Sequence, residues 1–159
     1  VASRENMQGP VTAVIPETAA VPPDAVAAAG ISGVAAFAED VDRWPGLMPE
    51  PELDGTLRAL HAFVEKAGTG GGLFRRLQAK FCFDVARLTD CAEVATAGTA
   101  LQRCADTWSA LAAAGRSDGS TLERWRRVHE LAAALPTHED QAVAEMRLAA
   151  AELAMGEQR

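Results

Sequence analysis

Four glycines within five positions, Gly68, Gly70, Gly71 and Gly72, run directly into Leu73-Phe74-Arg75-Arg76, the sharpest local pattern in the chain. A glycine turn that opens a helix leaves backbone N–H groups unpaired, adds the positive end of the helix dipole and here places guanidinium groups in the first turns. A phosphate or carboxylate is what such an arrangement attracts. The candidate substrate- or anion-binding residues are therefore Gly70, Gly71, Gly72 and Arg75. No Gly-Lys-Ser/Thr ending follows, and a helical pattern precedes the glycines where a dinucleotide fingerprint needs a strand, so neither nucleotide motif applies. A second reading stays open, in which the glycines only make a helix-to-helix corner that needs positive φ and close backbone approach.

Nucleophilic catalysis needs a Cys or Ser beside a His that a third group orients. Cys82, Cys91 and Cys104 fall on or beside helical faces that read as buried, while His61, His129 and His138 lie on three different predicted helices or their ends. No catalytic residue is assigned. Were a thiol reactive, Cys82, two turns after the glycine corner, is the first candidate. The cysteines are odd in number and form no CxxC pair, which argues against a disulfide framework or a zinc site, and no cofactor is implied. Neighbouring carboxylates such as Glu39 and Asp40, or Glu139 and Asp140, point different ways on a helix and read as solvated or capping groups.

The elements that must hold these residues read as helices throughout. Residues 1–23 carry Pro10, Pro16, Pro22 and Pro23 with little periodicity and predict an extended arm or linker ahead of a helical domain over 24–159. Apolar stripes at spacings of three and four then follow in turn. Ile31 to Val41 close at Trp44 before Pro45, and Leu53 to Val64 end at Gly68. Leu73, Phe74, Leu77, Phe81, Val85 and Leu88 make the third stripe. The fourth runs from Val94 to Leu111, with Thr89 and Asp90 offered as its cap. A capping box of Ser120 and Glu123 opens the fifth, which stops at Pro136, and Thr137 caps a sixth with Val143, Met146 and Leu153. The fold class expected is all-α, a bundle of five or six helices with an extended proline-containing N-terminal arm. Trp108 and Trp125 are its expected core anchors.

Composition agrees with that class and narrows the function. Hydrophobic residues make up 48% but aromatics only 5%, so the apolar content is mostly Ala, Leu and Val, a mixture that favours helix. The 34 alanines and the dominance of arginine over lysine suggest a bacterial source. A net charge of −7 opposes binding to nucleic acid, and the one basic run, Arg124, Arg126 and Arg127, reads as a solvated helix face. No run approaches the ~20 apolar residues of a membrane span, and a cytoplasmic location is expected. Val1 in place of methionine suggests trimming, processing or a domain of a longer protein.

The segment Ala67-Gly68-Thr69-Gly70-Gly71-Gly72-Leu73-Phe74-Arg75-Arg76-Leu77, followed by Ala79 and Phe81, resembles the helical C-terminal domain of the butirosin biosynthesis protein H family. Gly30-Ile31-Ser32-Gly33 leading to Phe37-Ala38-Glu39-Asp40 and Trp44-Pro45 is similar to that family upstream, as is Ala105-Asp106-Thr107-Trp108-Ser109-Ala110-Leu111-Ala112 downstream. Gln78, Lys80 and Cys82 depart from its usual residues. The resemblance implies an enzyme of specialised, antibiotic-like metabolism that transfers or hydrolyses an acyl group or forms an amide, an acyltransferase or amide hydrolase only together with a separate N-terminal part. Its cysteine nucleophile would lie in an N-terminal catalytic part or partner chain, and an acyl carrier protein is an implied partner. The competing reading is a free-standing helical module that binds a partner protein and catalyses nothing.

Overall fold

A computed structural model describes residues 30–66 and 71–156. The expected arm over 1–23, the Gly68 cap and Gly70 lie outside the described residues. Five helices follow one another: α1 (Gly30–Leu47), α2 (Glu50–Glu65), α3 (Gly72–Thr89), α4 (Ala92–Ala114) and α5 (Thr121–Gly156). No strand occurs among the described residues. The all-α bundle expected from the apolar periodicity is the observed architecture.

The core is divided in two. One cluster joins α3, the first half of α4 and the second half of α5 through Ala79, Cys82, Val85, Ala97, Leu101, Met146 and Leu153. The other joins α1, α2, the end of α4 and the first half of α5 through Val41, Trp44, Leu57, Leu111, Val128 and Leu135. Helices α4 and α5 run through both clusters and tie them together.

That shared role corrects the reading of Pro136. The sequence predicted a stop there and a Thr137 cap for a sixth helix, yet α5 passes straight through. Proline removes one i to i−4 bond and costs roughly 3 kcal/mol inside a helix. Here Ala132 and Leu135 before it and Ala142, Met146 and Ala149 after it are all buried, so both halves are fixed by tertiary contacts that outweigh the break. Pro45 is likewise inside α1, in its last turn, where the helix runs on to Leu47. At the α3 to α4 joint, Asp90 adopts the left-handed conformation, φ 51°, that ends α3, and Cys91 occupies the N-cap position of α4 without capping it, its Sγ donating instead to Glu93 Oε2 at 3.4 Å. The Thr89 and Asp90 cap is thus replaced by a backbone turn. The Ser120 capping box holds as expected: Ser120 N–H donates to Glu123 Oε2 at 2.8 Å and Glu123 N–H to Ser120 Oγ at 3.3 Å.

Helix α3 buries only part of the predicted stripe: Val85 is buried and Phe81 is packed against the core as expected, but the buried face is shifted toward Ala79 and Cys82. Ala79, Cys82 and Val85 meet α4 across small residues, Ala97, Ala100 and Cys104. Leu73, Phe74, Leu77 and Leu88 of the expected stripe are 37 to 76% exposed. Close helix approach selects small side chains, and this displaces the large ones to the outside.

Arg124 also leaves the predicted solvated face, being 3% exposed, whereas Arg126 and Arg127 do lie at the surface. Its Nη1 donates to the Gly115 carbonyl at 3.1 Å and its Nη2 to Asp54. Arg58, at 2.9 Å, and Arg124 hold the Asp54 carboxyl below the usual carboxylate range. The arginine pins α2 to the start of α5.

Candidate functional site

A cleft of about 670 Å³ opens at the seam between the two core clusters. Gly30, Ile31, Gly33, Val34 and Phe37 of α1 form one wall, and Leu60, Phe63 and Val64 of α2 continue it. The start of α3 faces them with Gly71, Phe74, Arg75 and Gln78. Leu101 and Trp108 of α4, with Glu139, Ala142, Val143 and Met146 of α5, close the far side. Its size and mostly apolar wall suit a small-molecule or chain-like ligand.

Three polar side chains of this cleft, Arg75, Trp108 and Glu139, are joined to one another. Glu139 Oε1 accepts from Trp108 Nε1 at 2.8 Å and from Arg75 Nε. The Arg75 guanidinium lies over the Trp108 ring, 5.5 Å from its centroid, and Nη1 reaches the Gly71 carbonyl at 3.4 Å. Phe37 packs against both Trp108, at 5.6 Å, and Trp44, at 6.1 Å, so one aromatic row leads from α1 to the ion pair. Side-chain exposure is 17% for Arg75 and 5% for Glu139, which means each charge is kept from water and depends on the other.

Of the residues singled out in the sequence, Gly71 and Arg75 line the cleft, Gly72 lies beneath it, and Gly70 is outside the described residues. The reason for glycine at 71 and 72 is close approach. A Cβ on Gly71 would stand 2.8 Å from the Val64 backbone, and one on Gly72 would meet Ser109 Oγ at 2.6 Å and Glu65 Oε1 at 2.9 Å. Gly71 has φ −66°, so positive φ is not what this position requires. The close contact draws α3 against α2 and α4 and sets Arg75 on the wall of the cleft.

Glu139 is the main residue that the sequence reading placed wrongly. It was expected to be solvated or capping and is 4% exposed, while its neighbour Asp140 points outward as helix geometry requires. Trp108, expected as a core anchor, is half-buried because one edge faces the cleft; Trp125 is half-buried elsewhere, its Nε1 donating to the Val41 carbonyl at 2.8 Å.

None of the three cysteines or three histidines lines the cleft. Burial pushes the Cys82 thiol up to about 11, and burial together with the nearby Glu139 charge pushes Cys104 up to about 12. Both are buried thiols. His138 Nδ1 lies 3.0 Å from Thr107 Oγ1, and His129 stacks on Trp125 with Nε2 3.1 Å from Asp42. Among the described residues no group of three His, Cys, Asp or Glu could hold a metal ion, and no helix is long and apolar enough to cross a membrane.

A thiol-reactive disulfide reagent at neutral pH is expected to leave Cys82 and Cys104 untouched until the protein unfolds, with slow reaction at half-buried Cys91 alone. Fast reaction of Cys82 in the folded protein would show that it reaches the solvent. The same groups set an alkaline dependence. Unfolded thiols ionise near 9 while the folded ones hold their protons to about 11 and 12, so the unfolded state binds fewer protons in that interval. Stability should therefore fall as pH rises above about 9. Urea midpoints measured against pH check the sign.

Over the described residues the fold and the cleft define an all-α domain of five helices with a ligand-sized cavity at its seam. The chain belongs to the family described as domain of unknown function (DUF4872), whose profile matches residues 2–146. No curated protein and no solved structure matches the chain.

Proposed function

We propose that this chain is the helical part of an acyl-transferring or amide-forming enzyme of specialised metabolism, in which the cleft holds the acyl group. A cysteine nucleophile is supplied from outside these 159 residues, by an N-terminal catalytic part or a partner chain. The observation that carries this reading is the cleft itself, a mostly apolar trough ending on the Arg75, Glu139 and Trp108 cluster with neither cysteine nor histidine on its wall. Such a trough can bind and orient a chain, and orientation against a nucleophile at the open end is a large part of what catalysis of acyl transfer requires. The resemblance to the butirosin biosynthesis protein H family supports the same division of labour, with an acyl carrier protein as the source of the acyl group.

Phe63, Leu73, Phe74 and Leu77 are 37 to 56% exposed, and two of them, Phe63 and Phe74, also line the cleft. In the acyl-transfer reading this apolar rim docks the nucleophile-bearing part. It also favours the second reading, a free-standing interaction module that uses the rim alone.

The test uses the complete native gene product, an aliphatic acyl thioester and an amine acceptor. Val143→Trp fills the cleft from α5 without removing a hydrogen bond, and should lower turnover by about tenfold or more, the equivalent of one lost favourable contact set. Its melting temperature should stay close to wild type. Wild-type turnover with the cleft filled, or a native gene product that carries no nucleophile and turns over no thioester, contradicts the acyl-transfer reading.

A further inference from the structure

The cluster in the cleft is not saturated with hydrogen bonds. Glu139 Oε1 accepts twice, yet Oε2 has no partner among the described residues. Arg75 uses Nε and Nη1 and leaves Nη2 without an acceptor among the described residues. Gln78, one turn further along the same face of α3, lines the cleft with its amide uncommitted. Among the described residues the only sealed and unpartnered side-chain polar atom is Arg124 Nε, so these three groups remain reachable from the cleft that they line. The cleft thus presents an open acceptor and open donors on a mostly apolar wall, whose further polar side chain, Thr56, donates to Met48 Sδ at 3.6 Å.

Charge decides what such a floor can take. An anion placed at Nη2 would also face the Glu139 carboxylate, and a cation placed at Oε2 would face the Arg75 guanidinium. Each would disturb a pair that is already neutral and poorly hydrated. A neutral group that donates and accepts along one edge meets neither penalty and satisfies both atoms. A primary carboxamide has that edge, with an N–H and a C=O side by side, while its second N–H and remaining lone pair are within the chemistry of Gln78.

We propose that the inner end of the cleft is a carboxamide-recognition subsite, and that the acyl group carried there bears a neutral terminal amide at its far end. Glu139 Oε2 accepts the amide N–H, Arg75 Nη2 donates to its carbonyl, and the aliphatic stem lies along Leu60, Leu101 and Met146. This rests on the reading of the cleft as the acyl-group site. Selectivity arises because an isosteric acid or amine leaves one of the two protein atoms facing a like charge or an unpaired group.

The experiment is a titration of the chain with hexanamide, hexanoate, hexylammonium and the zwitterion norleucine, followed through the indole N–H signal of Trp108, which shares Glu139 with the ligand. Hexanamide should move that signal saturably and bind about tenfold or more tightly than any of the three charged probes. Gln78→Leu should weaken hexanamide several-fold while leaving the melting temperature unchanged. Equal binding of all probes overturns the amide subsite and leaves the acyl-group cleft standing, as does preference for norleucine. No shift with any probe overturns both.

Discussion

Glu139→Ala is expected to destabilise the protein by about 3 to 5 kcal/mol, the cost of leaving one member of a buried ion pair without its partner. The carboxylate accepts from Trp108 and Arg75 at once, and Arg75 has only 17% of its side chain in water. Its removal strands a guanidinium and an indole N–H together. The double variant Glu139→Leu with Arg75→Met should recover most of the loss, because no charge is then buried. Urea denaturation of the single and double variants measures both values. A loss below about 1 kcal/mol for the single variant would mean that Arg75 swings out to water, and that the neutral floor of the cleft does not persist in solution.

The second large effect is expected at Gly115, which ends α4 in ordinary right-handed conformation. A Cβ there would stand 2.3 Å from the Leu57 carbonyl oxygen and 3.1 Å from its carbon. Both are backbone atoms of α2, and Leu57 is fully buried, so α2 has to move as a body. Gly115→Ala should therefore cost about 3 kcal/mol, at the upper end for added volume in a tight contact. Gly46→Ala is the control. Its Cβ meets nothing within 4 Å, and the change should be neutral or raise stability by about 0.5 kcal/mol through lost unfolded-state freedom. Thermal melts that rank the two variants the other way would show that α2 and α4 do not approach as closely as described.

The helical class was legible because Leu53 to Val64, Val94 to Leu111 and Leu122 to Leu135 keep helical spacing without interruption, and because Ser120 and Glu123 carry their cap in the sequence. What misled was local chemistry that tertiary contacts override. Pro136 reads as a stop only when taken alone. Continuing the stripe through it gives Ala132, Leu135, Glu139, Ala142, Met146, Ala149 and Leu153, all buried, and places Glu139 in the middle of an apolar face. A carboxylate at a core position of such a stripe is the signal that would have found it, since a buried charge implies a buried partner.

Arg75 stands out in the sequence by its place after the glycines, and the structure puts it on the cleft wall. The reason offered for the glycines was only partly right, since Gly71 and Gly72 serve contact with Val64, Ser109 and Glu65 and not a left-handed turn at Gly71. The exposed Leu73, Phe74 and Leu77 were misread because size was taken for burial. On α3 the small face of Ala79 and Cys82 wins the core, and the large residues are left exposed, Phe74 at the cleft. Gln78 carried no signal of its own, as a polar residue on an exposed-looking helix is ordinary.

The proposed claim that an acyl chain occupies the seam between the two core clusters can be tested at the three tryptophans. Trp44 and Trp108 line the cleft, whereas Trp125 does not. In a titration of the nitrogen-15-labelled chain with an octanoyl thioester of N-acetylcysteamine, the indole signals of Trp44 and Trp108 should shift together and saturate while that of Trp125 stays in place. Shifts at Trp125 as large as those at the other two, or no saturable shift at any of the three, would contradict the claim.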